Sequence, residues 1–150
     1  MPTKSFRAMM VTDTVDTIPL STNNGSVGYK IKKLQTIQQD PGTSTEHVVK
    51  IYSIPQTVSS VDDKIDFSDN TLLAVAYLHS GPAASSSTVA NEVIIFDNMT
   101  FNQDIYVTAK TITGSDEINY YLELEQIKLS LDENTVATLR DIRNITQANE

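Results

Sequence analysis

The chain has 150 residues, with 19 acidic and 11 basic side chains and a formal net charge of −8. A chain of this length is typical of one domain, so we expect residues 1–150 to form a single domain. The absence of cysteine excludes disulfide frameworks and thiolate metal sites. The acidic balance argues against a nucleic-acid partner, because a protein that binds phosphates needs a basic face.

The composition favours β-structure. Valine, isoleucine and threonine account for 12, 14 and 18 residues, and serine with threonine makes 32. Branching at Cβ stiffens the side chain and suits a pleated, half-buried surface better than a helix. The sequence therefore predicts a β-rich domain.

Three strands are predicted in the first part of the chain. Alternating apolar and polar residues place them at Ser5–Thr12, Gly28–Ile37 and Val48–Ile54. Pro55 ends the third strand because proline has no N–H to give to a sheet ladder. Between the first two strands, we interpret residues 13–16 as a turn.

The middle of the chain predicts a buried strand followed by a hairpin. Thr71–His79 is apolar on both faces, which is typical of a strand covered on both sides. Asn91–Phe96 and Phe101–Lys110 then flank the turn sequence Asp97–Thr100. This arrangement predicts that the two flanking strands pair with each other.

The longest predicted strand changes the face on which its apolar residues lie. Its apolar residues are even-numbered from Ile118 to Leu124 and odd-numbered from Ile127 to Leu131. Because side chains alternate strictly along a strand, this change predicts a bulge or bend near Glu125 and Gln126.

The C-terminal segment 132–142 allows two interpretations. Asp132 could cap a short helix with Val136, Leu139 and Ile142 on one stripe. Alternatively, Thr135–Ile142 forms a last strand. We predict an all-β fold, a single antiparallel β-sandwich or jelly-roll-like domain with at most one short C-terminal helix.

No membrane partner is expected. The apolar run Ala8–Val11 is shorter than the roughly 7–15 residues of a signal-peptide core. No segment approaches the roughly 18 apolar residues that span a bilayer.

Motifs for catalysis or metal binding are weak. We interpret His47 and His79 as solvated loop histidines rather than a catalytic or metal-binding pair. The acidic segment Asp62–Asn70 is the best calcium candidate, but its spacing does not fit a calcium loop, and Asx-turns are the preferred interpretation. We take Asp13 and Asp16 as turn residues rather than paired catalytic carboxylates. We therefore expect no enzyme and no catalytic, cofactor-binding or metal-ligating residue.

Two further groups each have two interpretations. The six tyrosines could line a sugar-stacking groove, although packing in the core or at its rim is preferred. They are Tyr29, Tyr52, Tyr77, Tyr106, Tyr120 and Tyr121. Lys30, Lys32 and Lys33 form either a positive patch or the protected side of an edge strand.

Three segments resemble those of small virion proteins of marine tailed phages, including phages of cyanobacteria and pelagic bacteria. They are Lys4–Met10, Asn119–Glu125 and Ala137–Asn144. The resemblance implies a non-enzymatic β-rich virion protein, most of all a capsid decoration (cement) protein bound to the major capsid protein lattice and to copies of itself. It also implies a place on the capsid exterior after synthesis in the host cytoplasm. The resembling segments are structural, so no catalytic or cofactor residue is carried over.

Two alternatives remain open. A tail, baseplate or neck component is one, and a host-surface glycan-binding β-sandwich is the other. The expected attachment elements are the loops Ser21–Gly28, Gln38–Thr45 and Ser80–Val89 or the two chain ends, since loops and termini carry adaptable contacts.

Overall fold

The computed structural model describes residues 2–20, 26–80, 89–96, 99–130 and 138–139. The described strands are β1 (Thr3–Met10), β2 (Thr14–Ile18), β3 (Val27–Gln38), β4 (Thr45–Tyr52), β5 (Leu72–Ser80), β6 (Val89–Ile95), β7 (Ile105–Thr113) and β8 (Ile118–Lys128). One short 3₁₀ helix, Val58–Ser60, lies between β4 and β5. Of residues 132–142, only Thr138 and Leu139 are described, so the choice between helix and strand there lies outside the described residues.

The strands form two antiparallel sheets that pack against each other, which confirms the predicted β-sandwich. The three-stranded sheet has the order β1-β8-β3, and the five-stranded sheet has the order β2-β7-β4-β5-β6. The chain changes sheet between β1 and β2, β2 and β3, β3 and β4, and β7 and β8. In the described residues, no helix is long and apolar enough to cross a lipid bilayer.

The core lies between the sheets. Alternate residues of each strand point inward, and the most deeply buried large side chains include Ile51, Ile105, Leu122 and Leu124. Complete burial of such a side chain contributes roughly 1.5–3 kcal/mol. This apolar layer accounts for the β-branched composition.

The predicted hairpin between β6 and β7 is wrong. β6 pairs with β5, whereas β7 lies between β2 and β4. After β6 the chain crosses to the other sheet, where the Phe101 backbone exchanges hydrogen bonds of 2.7 and 3.0 Å with Tyr29 of β3. The rings of Phe101 and Tyr29 stack in the core with centroids 6.4 Å apart. Turn-forming residues indicate that the chain turns but do not determine which strands pair.

The predicted bulge in β8 is also wrong, because β8 pairs in unbroken register with β1 up to Glu125 and with β3 from Leu124 to Lys128. The irregularity lies in β3, where Lys32 is the extra residue between Ile31 and Lys33. Inward-facing residues of β3 accordingly change from odd-numbered Ile31 to even-numbered Leu34. A bulge of this kind inserts one residue and inverts the faces beyond it.

The burial of Leu129, which follows β8, has a different cause. Leu129 follows the end of the strand, and its backbone N–H donates to the Ser26 carbonyl at 2.9 Å. Its side chain covers Gly28, where a Cβ atom would lie 2.9 Å from Leu129 Cδ2. Leu129 is therefore buried by folding over a glycine, without an inserted residue in β8.

Strand β2 was not expected from the sequence. Asp13 has a φ of 62° and forms the predicted turn, but Thr14–Ile18 then pairs with β7. The turn interpretation is correct for Asp13 and wrong for Asp16, which lies within β2.

Residues 53–71, which we call the strap, connect β4 to β5 and cover part of the outer face of the five-stranded sheet. Lys50 points to this face, and its Nζ donates to Asp62 Oδ1 and to the Lys64 carbonyl, both at 2.7 Å. Val75 of β5 is 4% exposed and alternates with the core residues Ala74 and Ala76. The predicted burial of both faces of β5 is confirmed.

Candidate binding surface on the three-stranded sheet

The outer face of the three-stranded sheet carries a cluster of apolar and hydrogen-bonding side chains. Two rows of residues that run across β1, β8 and β3 form this cluster. The first row is Arg7, Tyr121 and Gln35, and the second is Met9, Asn119 and Ile37. Their sequence neighbours Ala8, Tyr120 and Thr36 point toward the core. We call these six residues the outer-face patch: Arg7, Met9, Gln35, Ile37, Asn119 and Tyr121.

The outer-face patch exposes apolar side chains without cover from any described element. Met9 is 49% exposed and Ile37 is 63% exposed. The patch, with Ala8 and Tyr120 at its base, lines a depression of about 620 Å³. An apolar centre bordered by polar side chains is typical of an interaction surface.

Beside the outer-face patch, the same face carries ion pairs between β3 and β8. Lys32 Nζ lies 3.3 Å from Glu125 Oε2, and Lys33 Nζ lies 3.9 Å from Glu123 Oε2. Both lysines belong to β3, which is an edge strand. The structure therefore favours the edge-strand interpretation of the lysines over a free positive patch.

The chemistry of the outer-face patch is that of binding. Arg7, Gln35 and Asn119 supply donors and acceptors, and Tyr121 supplies an aromatic ring with a hydroxyl. None of its six side chains is a carboxylate or an imidazole, the usual general bases of enzymes. The patch can hold a partner through apolar contact and directed hydrogen bonds.

The two histidines do not form a pair. Glu46 and His79 are opposite each other in the β4–β5 ladder, as are His47 and Leu78. His79 Nε2 lies 3.8 Å from Glu46 Oε2 and is partly exposed. His47 is 1% exposed, so the expectation of a solvated loop histidine is wrong for this residue.

His47 lies in a buried hydroxyl environment. Its Nδ1 lies 3.2 Å from Thr111 Oγ1, and its Nε2 hydrogen-bonds with Thr45 Oγ1. Burial lowers the pKa of the His47 imidazole, and the Asp116 carboxylate offsets part of this effect. Thr45 is itself fully buried. A substrate therefore cannot reach this threonine–histidine contact.

The acidic segment Asp62–Asn70 forms the predicted Asx-turns. Asp66 Oδ1 accepts from the Ser68 N–H at 2.9 Å, and Asp69 Oδ1 accepts from the Thr71 N–H at 2.8 Å. Asp62 Oδ1 accepts from the Lys64 N–H at 3.1 Å in the same way, and it also accepts from Lys50 Nζ. Among the described residues, no group of three or more histidine or acidic side chains is arranged to hold a metal ion.

Asp13 and Asp16 have separate partners. Asp13 Oδ1 accepts from Lys110 Nζ at 2.8 Å, and Asp16 Oδ2 accepts from the Tyr120 hydroxyl at 3.2 Å. Burial, together with the nearby Asp16 carboxylate, raises the pKa of the Tyr120 phenol. These contacts join β2 to β7 and to the other sheet, and they do not assemble paired catalytic carboxylates.

The tyrosines divide between core and surface. Tyr29 and Tyr120 are 2% and 5% exposed, which confirms their interpretation as packing residues. Tyr121 lies on the outer-face patch instead. Sequence reasoning did not identify Met9 and Ile37, because an apolar residue in an alternating strand gives the same signal whether it faces the core or solvent.

The predicted attachment loops are only partly described. Residues 39–44 form a tight connection in which Asp40 N–H donates to Asp116 Oδ2 at 2.8 Å and Gly42 N–H donates to Asp40 Oδ1 at 3.0 Å. Most of the loops Ser21–Gly28 and Ser80–Val89 lies outside the described residues.

Comparisons with known proteins give little guidance. No protein-family model and no curated protein matches the chain. Among solved structures, a match is found to the tailspike protein gp49 of Acinetobacter baumannii bacteriophage Fri1, a capsular polysaccharide depolymerase. The sequence identity is 11%, the match covers 76% of this chain and 20% of the tailspike, and the TM-score is 0.15. A TM-score this low supports no argument about fold or function.

Proposed function

We propose that this protein is a non-enzymatic structural component of a tailed-phage particle that binds a protein surface through the outer-face patch. The observation that carries the proposal is the exposed pair Met9 and Ile37 in a depression bordered by hydrogen-bonding side chains. An apolar centre with a polar rim is the usual anatomy of a protein–protein interface.

The size of the patch fits repeated attachment. Because Met9 and Ile37 are each about half exposed, covering them contributes roughly 1–2 kcal/mol per residue. One such contact is weak after the cost of association is subtracted. Several linked contacts on a symmetric lattice raise the effective affinity without any new chemistry.

The finer proposal is a capsid decoration protein on the capsid exterior, with the major capsid protein as its partner. Its support is the position of the segments that resemble marine phage virion proteins. Lys4–Met10 and Asn119–Glu125 fall on β1 and β8 and supply Arg7, Met9, Asn119 and Tyr121 to the patch. Two of the three resembling segments therefore contribute four of the six residues of the outer-face patch.

Copy number in purified parent particles tests this assignment. Quantitative mass spectrometry should find hundreds of copies per particle, because a decoration protein occupies most sites of the capsid lattice. A dozen copies or fewer would move the protein to the tail, baseplate or neck. Absence from the particle would refute a virion role.

A host-surface glycan is the second candidate ligand, favoured by the placement of Tyr121 beside Arg7, Gln35 and Asn119. Aromatic rings stack on sugars, and amide and guanidinium groups bind hydroxyls. A glycan array tests this alternative with Tyr121→Ala and Ile37→Asp. A sugar site requires binding that is lost in Tyr121→Ala, and an array without binding refutes it.

A further inference from the structure

The four edge strands that the structure describes are protected to different extents. Edge strands expose unpaired backbone groups, and charged side chains, bulges or short length usually prevent their pairing with other chains. β3 has three lysines and a bulge, β1 has Lys4 and Arg7, and β2 has five residues that include Asp16. These three edges are all defended.

β6 lacks these defences. Val89–Ile95 is seven residues long, contains no proline or lysine, and has Glu92 as its one charge. β6 pairs with β5, and within the described part of the chain no other strand pairs with it. With respect to the described residues, the side of β6 away from β5 is therefore an open hydrogen-bonding ladder.

Apolar side chains border this open edge on both faces of the sheet. Val93 lies opposite the core residue Ala76 yet is 37% exposed. Ile94, on the outer face, is 39% exposed. On the outer face, Phe67 packs edge-on against Phe96 with ring centroids 5.4 Å apart and remains 55% exposed.

We propose that β6 pairs antiparallel with β6 of a second copy of this chain, joining two five-stranded sheets into one. A two-fold axis at Val93 sets Val93 opposite its own copy, Glu92 opposite Ile94 and Asn91 opposite Ile95. An axis at Glu92 would set two carboxylates opposite each other, which is unfavourable. The Val93-centred register instead places two β-branched side chains opposite each other and keeps the two Glu92 carboxylates apart, and the interface is closed and isologous.

Two substitutions of equal charge test the register. Val93→Lys places two ammonium groups opposite each other across the axis, whereas Ile94→Lys places each ammonium opposite the Glu92 carboxylate of the other copy. Sedimentation velocity between about 1 and 100 µM should show a dimer for the native chain and for Ile94→Lys. Val93→Lys should be a monomer with an unchanged circular dichroism spectrum.

Cysteine cross-linking gives a second test, which remains valid even if Val93→Lys does not fold. The chain has no cysteine, so Val93→Cys introduces a unique thiol. With a short bis-maleimide, Val93→Cys should give covalent dimers, and the exposed control Val58→Cys should remain monomeric. A monomeric native chain, equal dimerisation of the two lysine variants, or equal cross-linking of the two cysteine variants would overturn the proposal.

Discussion

Lys50 Nζ lies 2.7 Å from Asp62 Oδ1, and this contact attaches the strap to the outer face of the five-stranded sheet. The Lys50 side chain is 3% exposed, whereas that of Asp62 is 51% exposed. Burial acts to lower the pKa of Lys50, but its hydrogen bond to Asp62 and its neighbour Tyr52 raise the pKa overall. The ammonium therefore stays charged beneath the strap, and its cost of burial is offset by its acceptors.

Removal of the acceptor should cost more stability than removal of the charge. Asp62→Ala leaves the buried ammonium with the Lys64 carbonyl and the Tyr52 ring and should lower the free energy of unfolding by about 1–3 kcal/mol. Lys50→Met fills the same space without a charge and should cost less than about 1 kcal/mol. Urea denaturation measures both, with Asp63→Ala as the exposed control. A larger loss in Lys50→Met than in Asp62→Ala would show that the pair stabilises the fold through its charge.

Stability should fall on mild acidification because of His47. Burial holds the folded-state pKa of His47 below its ordinary value of 6.5, so the unfolded chain binds more protons between the two pKa values. The free energy of unfolding is therefore highest above pH 6.5 and decreases as the pH falls toward the folded-state pKa.

Urea denaturation at about pH 7.5 and about pH 5.5 measures this dependence. His47→Gln should have a smaller difference between the two pH values than the native chain. Equal pH dependence of the native chain and His47→Gln would exclude His47 as the cause.

Because Lys32 is the bulge residue of β3, its presence in the chain should matter more for stability than the identity of its side chain. Deletion of Lys32 forces either Ile31 or Leu34 to the solvent face, because one residue changes the side on which the following side chains lie. We expect the deletion to cost more than about 3 kcal/mol, as for loss of a large core side chain. Lys32→Ala removes only the exposed contact with Glu125 and should stay within about 0.5 kcal/mol. A deletion that is as stable as Lys32→Ala would contradict the observed register.

Leu124 and Ile127 should differ in their tolerance of charge. Leu124 is fully buried, so Leu124→Asp places an unpaired carboxylate in the core and should cost more than about 3 kcal/mol. Ile127 is half-buried near the end of β8, where the carboxylate can reach water, and Ile127→Asp should cost about 1–2 kcal/mol. Thermal denaturation ranks the two variants. Similar losses would indicate that Ile127 is a core residue and that β8 does change face.

The sequence predicted the fold class because alternation and β-branching are local properties of each strand. It misplaced the bulge because Ile127 lies on the outer face of β8, while Leu129 lies beyond the strand and is buried through its contact with Gly28. The change from Ile31 to Leu34 in β3 carried the correct signal. The sequence did not predict strand β2, because Asp13 and Asp16 led us to interpret residues 13–16 as a turn.

Sheet order and the binding surface depend on contacts between distant parts of the chain. The turn residues between Asn91–Phe96 and Phe101–Lys110 could not show that Phe101 pairs with Tyr29 in the other sheet. For the same reason, the sequence did not show that Ile37 lies on the outer face. The bulge at Lys32 determines which residues of β3 face solvent.

Binding of the purified protein to parent-phage capsids that lack it tests the proposed role of the outer-face patch most directly. Ile37 and Val58 are β-branched residues with exposed fractions of 63% and 62%, so Ile37→Asp and Val58→Asp form a matched pair. The account predicts that Ile37→Asp weakens binding by at least about tenfold, because a carboxylate replaces the apolar centre of the interface, while Val58→Asp binds as the native chain does. Native-like binding by Ile37→Asp, or no binding by the native chain, would contradict it.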